Sequence, residues 1–390
     1  MTIQKCCICG SKVETIFELP YRYTDSLFND VYVQKIGICK KCGFIFTQNP
    51  FTSEQLEYRY KQFSKYGFND NKRIFNVSDD YQKRCKRQKF FIEENINDKI
   101  KSIIDIGASS GYNLSLYSGI ERMGIEPSKI NCDLAKENYD VDMFNGMFLE
   151  FLEEKKKKKY DLVFLSHVLE HVVDPFKFIS DCSKINNKFI FIEVPLFDLK
   201  FINEPFGFFC EEHVNYFTYE SLINLMSNVG YSLINSQIQI ENKSTLPAGF
   251  PSICLLFEKS NVGKVSYFMF SSLEILKRYL KINSKELIKV QKRIESIPCG
   301  ERLVVWGTGH HVSMLLENTE LKNKNIVKFY DSDIRKKDLT IMGKVICPFN
   351  EADIIDKKID AILIGTYTAQ DVIYEILKKY ENDIKIYKLY

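Results

Sequence analysis

Two short segments near the start of the chain carry cysteines at the same spacing, Cys6-Cys7-Ile8-Cys9-Gly10 and Cys39-Lys40-Lys41-Cys42-Gly43. Thiolates separated by two residues on a turn that ends in glycine can close on one side of an ion, and two such knuckles supply the four soft ligands of a tetrahedral site. Cys6, Cys9, Cys39 and Cys42 are therefore expected to hold a structural Zn2+, with Cys7 a bystander. Four protein ligands leave no open position for catalysis, so the ion would staple a segment too small to build its own core. Paired redox thiols or free thiols are the other reading of this spacing.

A second constellation lies at residues 102–111, Ser-Ile-Ile-Asp-Ile-Gly-Ala-Ser-Ser-Gly. A β-branched strand ends in Asp105, and Gly107, Ala108, Ser109 and Gly111 turn the backbone tightly into a helix, which leaves room for a ligand against bare backbone. The next strand places Glu126 21 residues after Asp105, where a carboxylate can accept both ribose hydroxyls of an adenosine. A dinucleotide turn or a purely structural turn could use the same arrangement. Together Asp105-Ile-Gly-Ala-Ser-Ser-Gly111 and Gly124-Ile-Glu-Pro-Ser128 resemble motifs I and II of class I S-adenosylmethionine (SAM) methyltransferases. The resemblance implies that SAM is held by Asp105, Gly107, Ala108, Ser109, Gly111 and Glu126, with Ser166 beside it at the end of the fourth strand.

The chain has five histidines. His167 and His171 follow the fourth strand in His167-Val-Leu-Glu170-His171, and His213 sits in the polar run Cys210-Glu211-Glu212-His213-Val-Asn215-Tyr216-Phe217 after the fifth. His310 and His311 are distal. An imidazole titrates near 6.5 when unperturbed, which suits proton removal. His213, on the acceptor side of the cleft, is expected to be the base, with Glu212 orienting it or raising its basicity, because His167 and His171 stand closer to the donor; His167 is kept as a further catalytic candidate, and Glu170 and His171 as cleft residues. The Asp/Asn-Pro-Pro-Tyr/Phe pattern that grips a planar nitrogen does not follow the fourth strand, which disfavours nucleobase and glutamine N-methylation.

The elements that must position these groups follow from hydrophobic periodicity. At 390 residues, 45% hydrophobic and 14% aromatic, the chain is globular and long enough for several domains. A net charge of +3 from 54 basic and 51 acidic residues excludes wholesale nucleic-acid binding and points to small-molecule partners. Neither a leader-like apolar stretch nor a membrane-length run is present, so a cytoplasmic protein without membrane association is expected, its twelve cysteines thiols or ligands. The expected order is a zinc-binding domain at 1–50, a helical lid or connector at 51–97, a SAM-dependent methyltransferase domain at 98–260, a helical linker at 261–297 and a C-terminal α/β domain at 298–390. In the third, strands near 102–106, 122–127, 141–144, 161–166, 189–195, 231–240 and 251–258 make a doubly wound seven-strand sheet. Tyr58, Tyr60, Phe63, Tyr66 and Phe68 either pack the ribbon onto that sheet or line the cleft, and the lysine run from Lys155 reads as a solvated helix end. In the last domain, Trp306-Gly307-Thr308-Gly309-His310-His311 and Asp331 repeat the strand, glycine turn and helix, as a nucleotide or sugar seat or as a structural duplicate.

Over nearly its full length the chain resembles the zinc-containing, SAM-dependent sugar C-methyltransferases, which act on nucleotide-linked keto-deoxysugars. That resemblance implies an N-terminal zinc domain, a central SAM domain and a smaller Rossmann-like C-terminal domain that helps hold the nucleotide sugar. Glu212 and His213 match the last two residues of the family's tyrosine-x-glutamate-histidine, which implies catalytic roles for them, and Asn215, Tyr216, Gly307, Gly309, His310 and Asp331 become the expected substrate contacts. Cys210 stands at the tyrosine position, and the tyrosine-rich segment near Tyr60-Lys-Gln-Phe63-Ser64 is only partly kept, which makes O-methylation of a sugar hydroxyl the rival to C-methylation. A non-catalytic sugar-nucleotide or RNA-binding module is the alternative from another class.

Overall fold

The computed structural model describes residues 2–25, 31–52, 55, 77–154, 158–197, 204–239, 251–260 and 271–390. The tyrosine-rich segment, residues 53–54 and 56–76 of the expected 51–97 lid and Lys155 lie outside these residues.

The two cysteine knuckles flank an antiparallel sheet of β1 (Glu14–Tyr21), β2 (Tyr32–Ile38) and β3 (Ile45–Thr47). Gly37 in β2 is required by a close approach: a Cβ there would stand 2.6 Å from the Gln48 side chain.

Next come helix α1 (Asp79–Asn95), β4 (Ser102–Ile106), α2 (Tyr112–Ser115), β5 (Glu121–Glu126), α3 (Lys129–Tyr139), β6 (Asp142–Asn145), α4 (Phe148–Glu154), β7 (Tyr160–Ser166), α5 (Pro175–Ile185) and β8 (Asn186–Pro195). A two-residue strand, β9 (Asn215–Tyr216), precedes α6 (Tyr219–Asn228), β10 (Tyr231–Gln239) and β11 (Ser252–Lys259). Local chemistry sets several helix starts. Ser128 and Asp174 accept backbone N–H groups at the heads of α3 and α5, and Thr218 and Ser221 form a reciprocal capping box on α6.

The seven strands expected from periodicity form one sheet in the order β6-β5-β4-β7-β8-β11-β10, with β11 antiparallel to both neighbours. Strand order reverses between β4 and β7, which opens a crevice at the carboxyl ends of the parallel strands. β9 does not join this sheet. It pairs antiparallel with β3, completing a four-stranded N-terminal sheet β1-β2-β3-β9.

The long helix α7 (Ser272–Glu295) buries Leu276, Tyr279, Val290 and Ile294. A six-stranded sheet follows, built from β12 (Leu303–Trp306), β13 (Ile326–Tyr330), β14 (Thr340–Ile341), β15 (Lys344–Cys347), β16 (Ala361–Ile364) and β17 (Lys385–Lys388) in the order β14-β15-β13-β12-β16-β17. All of its neighbours pair parallel except β14 with β15. Helix α8 (His310–Asn318) follows β12. The N-terminal sheet and this C-terminal sheet share a core: Tyr21, Ile36, Phe209, Tyr216, Tyr279, Val312 and Leu363 belong to one buried cluster. Polar ties run alongside, with Arg22 N–H donating to the Ser313 carbonyl at 2.9 Å and Arg22 Nε to Glu317 at 2.7 Å. The cysteine knuckles instead pack on the central sheet, where Asn224 and Asn228 of α6 donate to the carbonyls of Cys42 and Ile8 at 2.9 and 2.5 Å.

Candidate active site

The crevice between β4 and β7 is framed by the glycine turn. Gly107 and Gly111 hold φ of +81° and +74°, the left-handed region. A Cβ on Gly111 would stand 2.7 Å from the Ala135 Cβ, so the turn lies hard against α3. Backbone N–H groups of Gly107 and Ala108 donate to the Ile125 carbonyl at 2.9 and 3.1 Å, which ties the turn to β5. Glu126 closes the loop: Oε2 accepts the Ser109 N–H at 3.0 Å and Oε1 the Ser128 N–H at 2.9 Å. Burial raises its pKa against the pull of those donors. Asp105, fully inside, accepts from Asn113 Nδ2 at 2.9 Å, and burial pushes its carboxyl up to about 7. Ser166 at the end of β7 accepts from Gln88 of α1 at 2.9 Å. The expected SAM-contacting residues therefore lie at or just after the carboxyl ends of β4, β5 and β7, and the Glu126–Ser109 bond braces the turn itself.

Immediately after Ser166, His167 adopts a left-handed φ of 55°, a conformation that costs a non-glycine residue and needs support. Its N–H donates to the Glu193 carbonyl at 2.8 Å, and its Nδ1 pairs with Glu170 Oε1 at 3.0 Å. Burial disfavours the charge on Glu170, but the hydrogen bond to His167 and the fields of His167, His171 and His213 prevail and hold its pKa at about 2. His171 Nδ1 donates to the Glu212 carbonyl at 2.8 Å, and the rings of His171 and His213 meet edge to face with centroids 4.9 Å apart. The expectation that His213 occupies a separate acceptor side is thus corrected, since all three imidazoles gather around Glu170. Its basicity is corrected as well. Burial first, and then the neighbouring His171, lower the His213 pKa to about 3. Glu212 contributes its carbonyl to His171, and its side chain is exposed.

Asn215 and Tyr216 have framework positions rather than the expected substrate-facing ones. The Asn215 amide donates to the carbonyls of Leu169 and Val172 at 2.8 and 2.6 Å, pinning the turn that carries Glu170. Tyr216 is fully buried with its hydroxyl 3.0 Å from both Gln34 Nε2 and Thr47 Oγ1. The physical reason is the pairing of β9 with β3, which turns this segment into the N-terminal sheet.

Sequence reasoning missed Glu193. It is fully buried at the end of β8 and accepts from Arg87 at 2.8 Å, Gln88 at 2.6 Å and Ser252 at 2.7 Å, fastening α1 over the crevice. Burial opposes its charge, but His167, Arg87 and Ser252 hold its pKa at about 2. The available signal was a lone carboxylate inside the apolar run 189–195.

The C-terminal sheet repeats the device. Gly307, φ +110°, donates to the Tyr330 carbonyl at 2.8 Å, and Asp331 Oδ2 accepts the Thr308 N–H at 3.0 Å, as Glu126 accepts that of Ser109. The turn opens on a cavity of about 400 Å³ lined in part by Gly307, Gly309, His310, Asp331, Lys336 and Tyr367. His310 lines the cavity, but its Nδ1 is committed to Glu211 Oε2 at 2.7 Å, which also accepts the Tyr23 hydroxyl at 2.9 Å. Glu211 thus links the cavity wall to the segment carrying His213.

The four cysteines of the two knuckles also converge. Their sulfurs lie within 4.8 Å of one another, with Cys6–Cys42 at 3.5 Å and Cys9–Cys39 at 3.3 Å, and all four are free thiols. A tetrahedral zinc with Zn–S of about 2.3 Å places its sulfurs about 3.8 Å apart, so this donor set fits.

Residues 78–236 match the model of a family described as a methyltransferase domain. With the strand order above, this segment is a class I SAM-dependent methyltransferase domain. Among solved structures the chain is similar to magnesium protoporphyrin IX methyltransferase from Synechocystis PCC 6803 with bound SAH, at 13% identity and TM-score 0.39, covering 53% of this chain and 100% of that one. It is also similar to the [4+2]-cyclase SpnF, at 12% identity and TM-score 0.41, covering 55% and 98% of the two chains. A SAM-dependent methyltransferase from Archaeoglobus fulgidus matches at 17% identity and TM-score 0.35, covering 46% and 94%. No curated protein matches the sequence. Among the described residues, no helix is long and apolar enough to cross a membrane.

Proposed function

We propose that the chain transfers the SAM methyl group to a nucleotide-linked keto-deoxysugar, on the carbon beside the ketone, with Zn2+ held structurally by Cys6, Cys9, Cys39 and Cys42. The observation that carries this reading is the second glycine turn with its cavity of about 400 Å³, a size suited to a small ligand. It repeats the adenosine-type device of the first turn, and Glu211 connects its wall to the catalytic segment. In this reading the nucleotide rests on Gly307 and Gly309, and its sugar reaches toward the histidine cluster.

The chemistry needs alignment and one proton acceptor. The C–H bond beside the ketone breaks, its electron pair forms the C–CH3 bond, and the S–CH3 bond breaks to leave SAH. His167 takes the proton. Glu170 orients its Nδ1, and its Nε2 lacks a hydrogen-bond partner among the described residues. His213, with its depressed pKa, is the weaker acceptor. O-methylation is the second reading, favoured by Cys210. A thiol is only a weak hydrogen-bond donor and acceptor, so it does not replace a phenol at that position.

The test is incubation with SAM and a panel of nucleotide sugars in D2O, followed by mass spectrometry. A methylated product carrying an added C–CH3 supports the reading. Methylation of a hydroxyl overturns the C-methyl outcome, and no methylated sugar in the panel overturns the substrate class. Gly309→Leu separates binding from folding. Nothing lies within 4 Å of a Cβ at Gly309, so the larger side chain fills the cavity rather than clashing. SAM binding should persist and nucleotide-sugar binding should fall by ~10-fold or more, equivalent to ~1.4 kcal/mol.

A further inference from the structure

The turn after β7 and the segment leading into β9 bring a carboxylate and two imidazoles to one point. Glu170, His171 and His213 each offer a ligand atom, and the three atoms lie within 4.8 Å of one another. We propose that these three residues bind a divalent first-row transition-metal ion beside the methyl-transfer crevice, at a site distinct from the cysteine cluster.

The carboxylate supplies the first argument. Glu170 is 1% exposed, and its Oε2 is buried with no hydrogen-bond partner among the described residues. An ionised carboxylate with an idle buried oxygen is costly unless a cation or donor meets it. An ion held by the two imidazoles provides that partner.

The imidazoles are prepared for the role. His171 spends its Nδ1–H on the Glu212 carbonyl at 2.8 Å, which fixes the ring and leaves the Nε2 lone pair facing Glu170, 4.0 Å from Oε1. Metal-bound histidines are oriented by such a bond on the second nitrogen. The carboxylate is itself oriented, through His167 Nδ1 on Oε1 at 3.0 Å. His213 meets the His171 ring edge to face.

The two ligand-bearing segments are also fastened together by backbone. The Val214 N–H donates to the Glu170 carbonyl at 2.8 Å, and the Asn215 amide grips Leu169 and Val172 on either side of the Glu170 turn. This gives the buried Asn215 a purpose, since it holds His213 in register with Glu170 and His171. An ion at the centre of a triangle with sides of at most 4.8 Å would lie no more than about 2.8 Å from each corner. Inward movements of no more than about 0.7 Å therefore reach the usual 2.1 Å for nitrogen and oxygen ligands. Two imidazoles and a carboxylate suit Mn2+, Fe2+, Co2+, Ni2+ or Zn2+, and three protein ligands leave positions open for oxygen atoms of a ligand. An acceptor presenting a ketone beside a hydroxyl has the right pair of oxygens. That last step rests on the proposed substrate, whereas the ion itself does not.

Mn2+ is the probe, because it favours nitrogen and oxygen ligands over thiolates. The full chain, with its cysteine cluster loaded with Zn2+, is titrated with Mn2+ and the free ion is followed by electron paramagnetic resonance. One Mn2+ per chain should bind in addition to the zinc. His171→Ala, at the more exposed edge of the cluster, and Glu170→Gln should each weaken Mn2+ by ~10-fold or more while SAM affinity by calorimetry stays at the parental value. If Glu170→Gln fails to bind SAM, the His171→Ala result alone decides. No second ion in the parent chain, or unchanged Mn2+ affinity in His171→Ala, overturns the site. Mn2+ binding without methylation of any nucleotide sugar would refute the substrate reading and leave the metal site standing.

Discussion

Glu126→Gln tests whether the carboxylate at the end of β5 is a brace, a ligand contact or both. In the structure its two oxygens each accept a backbone N–H, from Ser109 at 3.0 Å and Ser128 at 2.9 Å, in a side chain only 8% exposed. Glutamine keeps the shape but has one acceptor. One N–H still finds an oxygen with a weaker, uncharged bond, and the other faces an amide NH2, donor against donor. Hydrogen bonds to charged groups contribute ~1.5–3 kcal/mol, and an unsatisfied buried donor costs ~1–3 kcal/mol. Relief of the buried negative charge offsets part of this, because burial raises the Glu126 pKa. A net loss of ~2–4 kcal/mol in stability is expected. Because Ser109 lies in the glycine turn and Glu126 is the expected ribose acceptor, SAM should also weaken by ~1–3 kcal/mol, about 5- to 150-fold in Kd. Thermal denaturation of the free protein reads the first effect, and calorimetry with SAH on the folded variant reads the second. A variant with parental melting temperature and parental SAH affinity would refute both the brace and the ligand contact. Weakened affinity with unchanged stability would remove the brace alone.

Three further outcomes follow from the same geometry. Cys39→Ser should lose zinc, seen by metal analysis, together with order in the N-terminal sheet, and full zinc occupancy would remove the four-thiolate assignment. His311 is buried, and burial followed by the neighbouring His310 lowers its pKa to about 3. It is therefore neutral when folded and protonated when unfolded between about pH 3 and an unfolded value near 6.5, so stability falls as pH drops through that window, by at most ~1.4 kcal/mol per pH unit from this group. His311→Phe should flatten the acid limb of a stability-versus-pH curve measured in urea, and an unchanged limb would count against the lowered pKa. His167→Asn should cut turnover by ~10²–10⁴-fold with SAM affinity nearly intact, and turnover within a few fold of the parent would take His167 out of the mechanism.

Much of the scaffold was readable before any coordinates. The central sheet is spelled out by apolar runs such as 102–106 and 160–166, because strands buried on both faces must be nearly continuous in hydrophobic residues. The glycine turn at Gly107 and Gly111 was equally readable, since only glycine takes their φ without cost, and the structure gives both positive φ. Local sequence also carried the convergence of Cys6, Cys9, Cys39 and Cys42. Each of these signals is local: periodicity, a backbone preference or a ligand spacing fits within a short window.

What needed the tertiary structure were the contacts between distant segments. Asn215 and Tyr216 look like cleft residues in sequence, yet pairing of β9 with β3, some 170 residues away, turns them into framework. The pairing leaves almost no local trace, because a two-residue strand has no periodicity to read. The same fold brings His213 onto His171 and Glu170, and burial there reverses the basicity that a neighbouring carboxylate suggests in sequence. Glu211 is a further case, bridging Tyr23 and His310 from opposite ends of the chain. Backbone geometry and strand patterning are thus written residue by residue. The electrostatics of the site depend on which charges and how much protein surround each group, and only the assembled chain decides that.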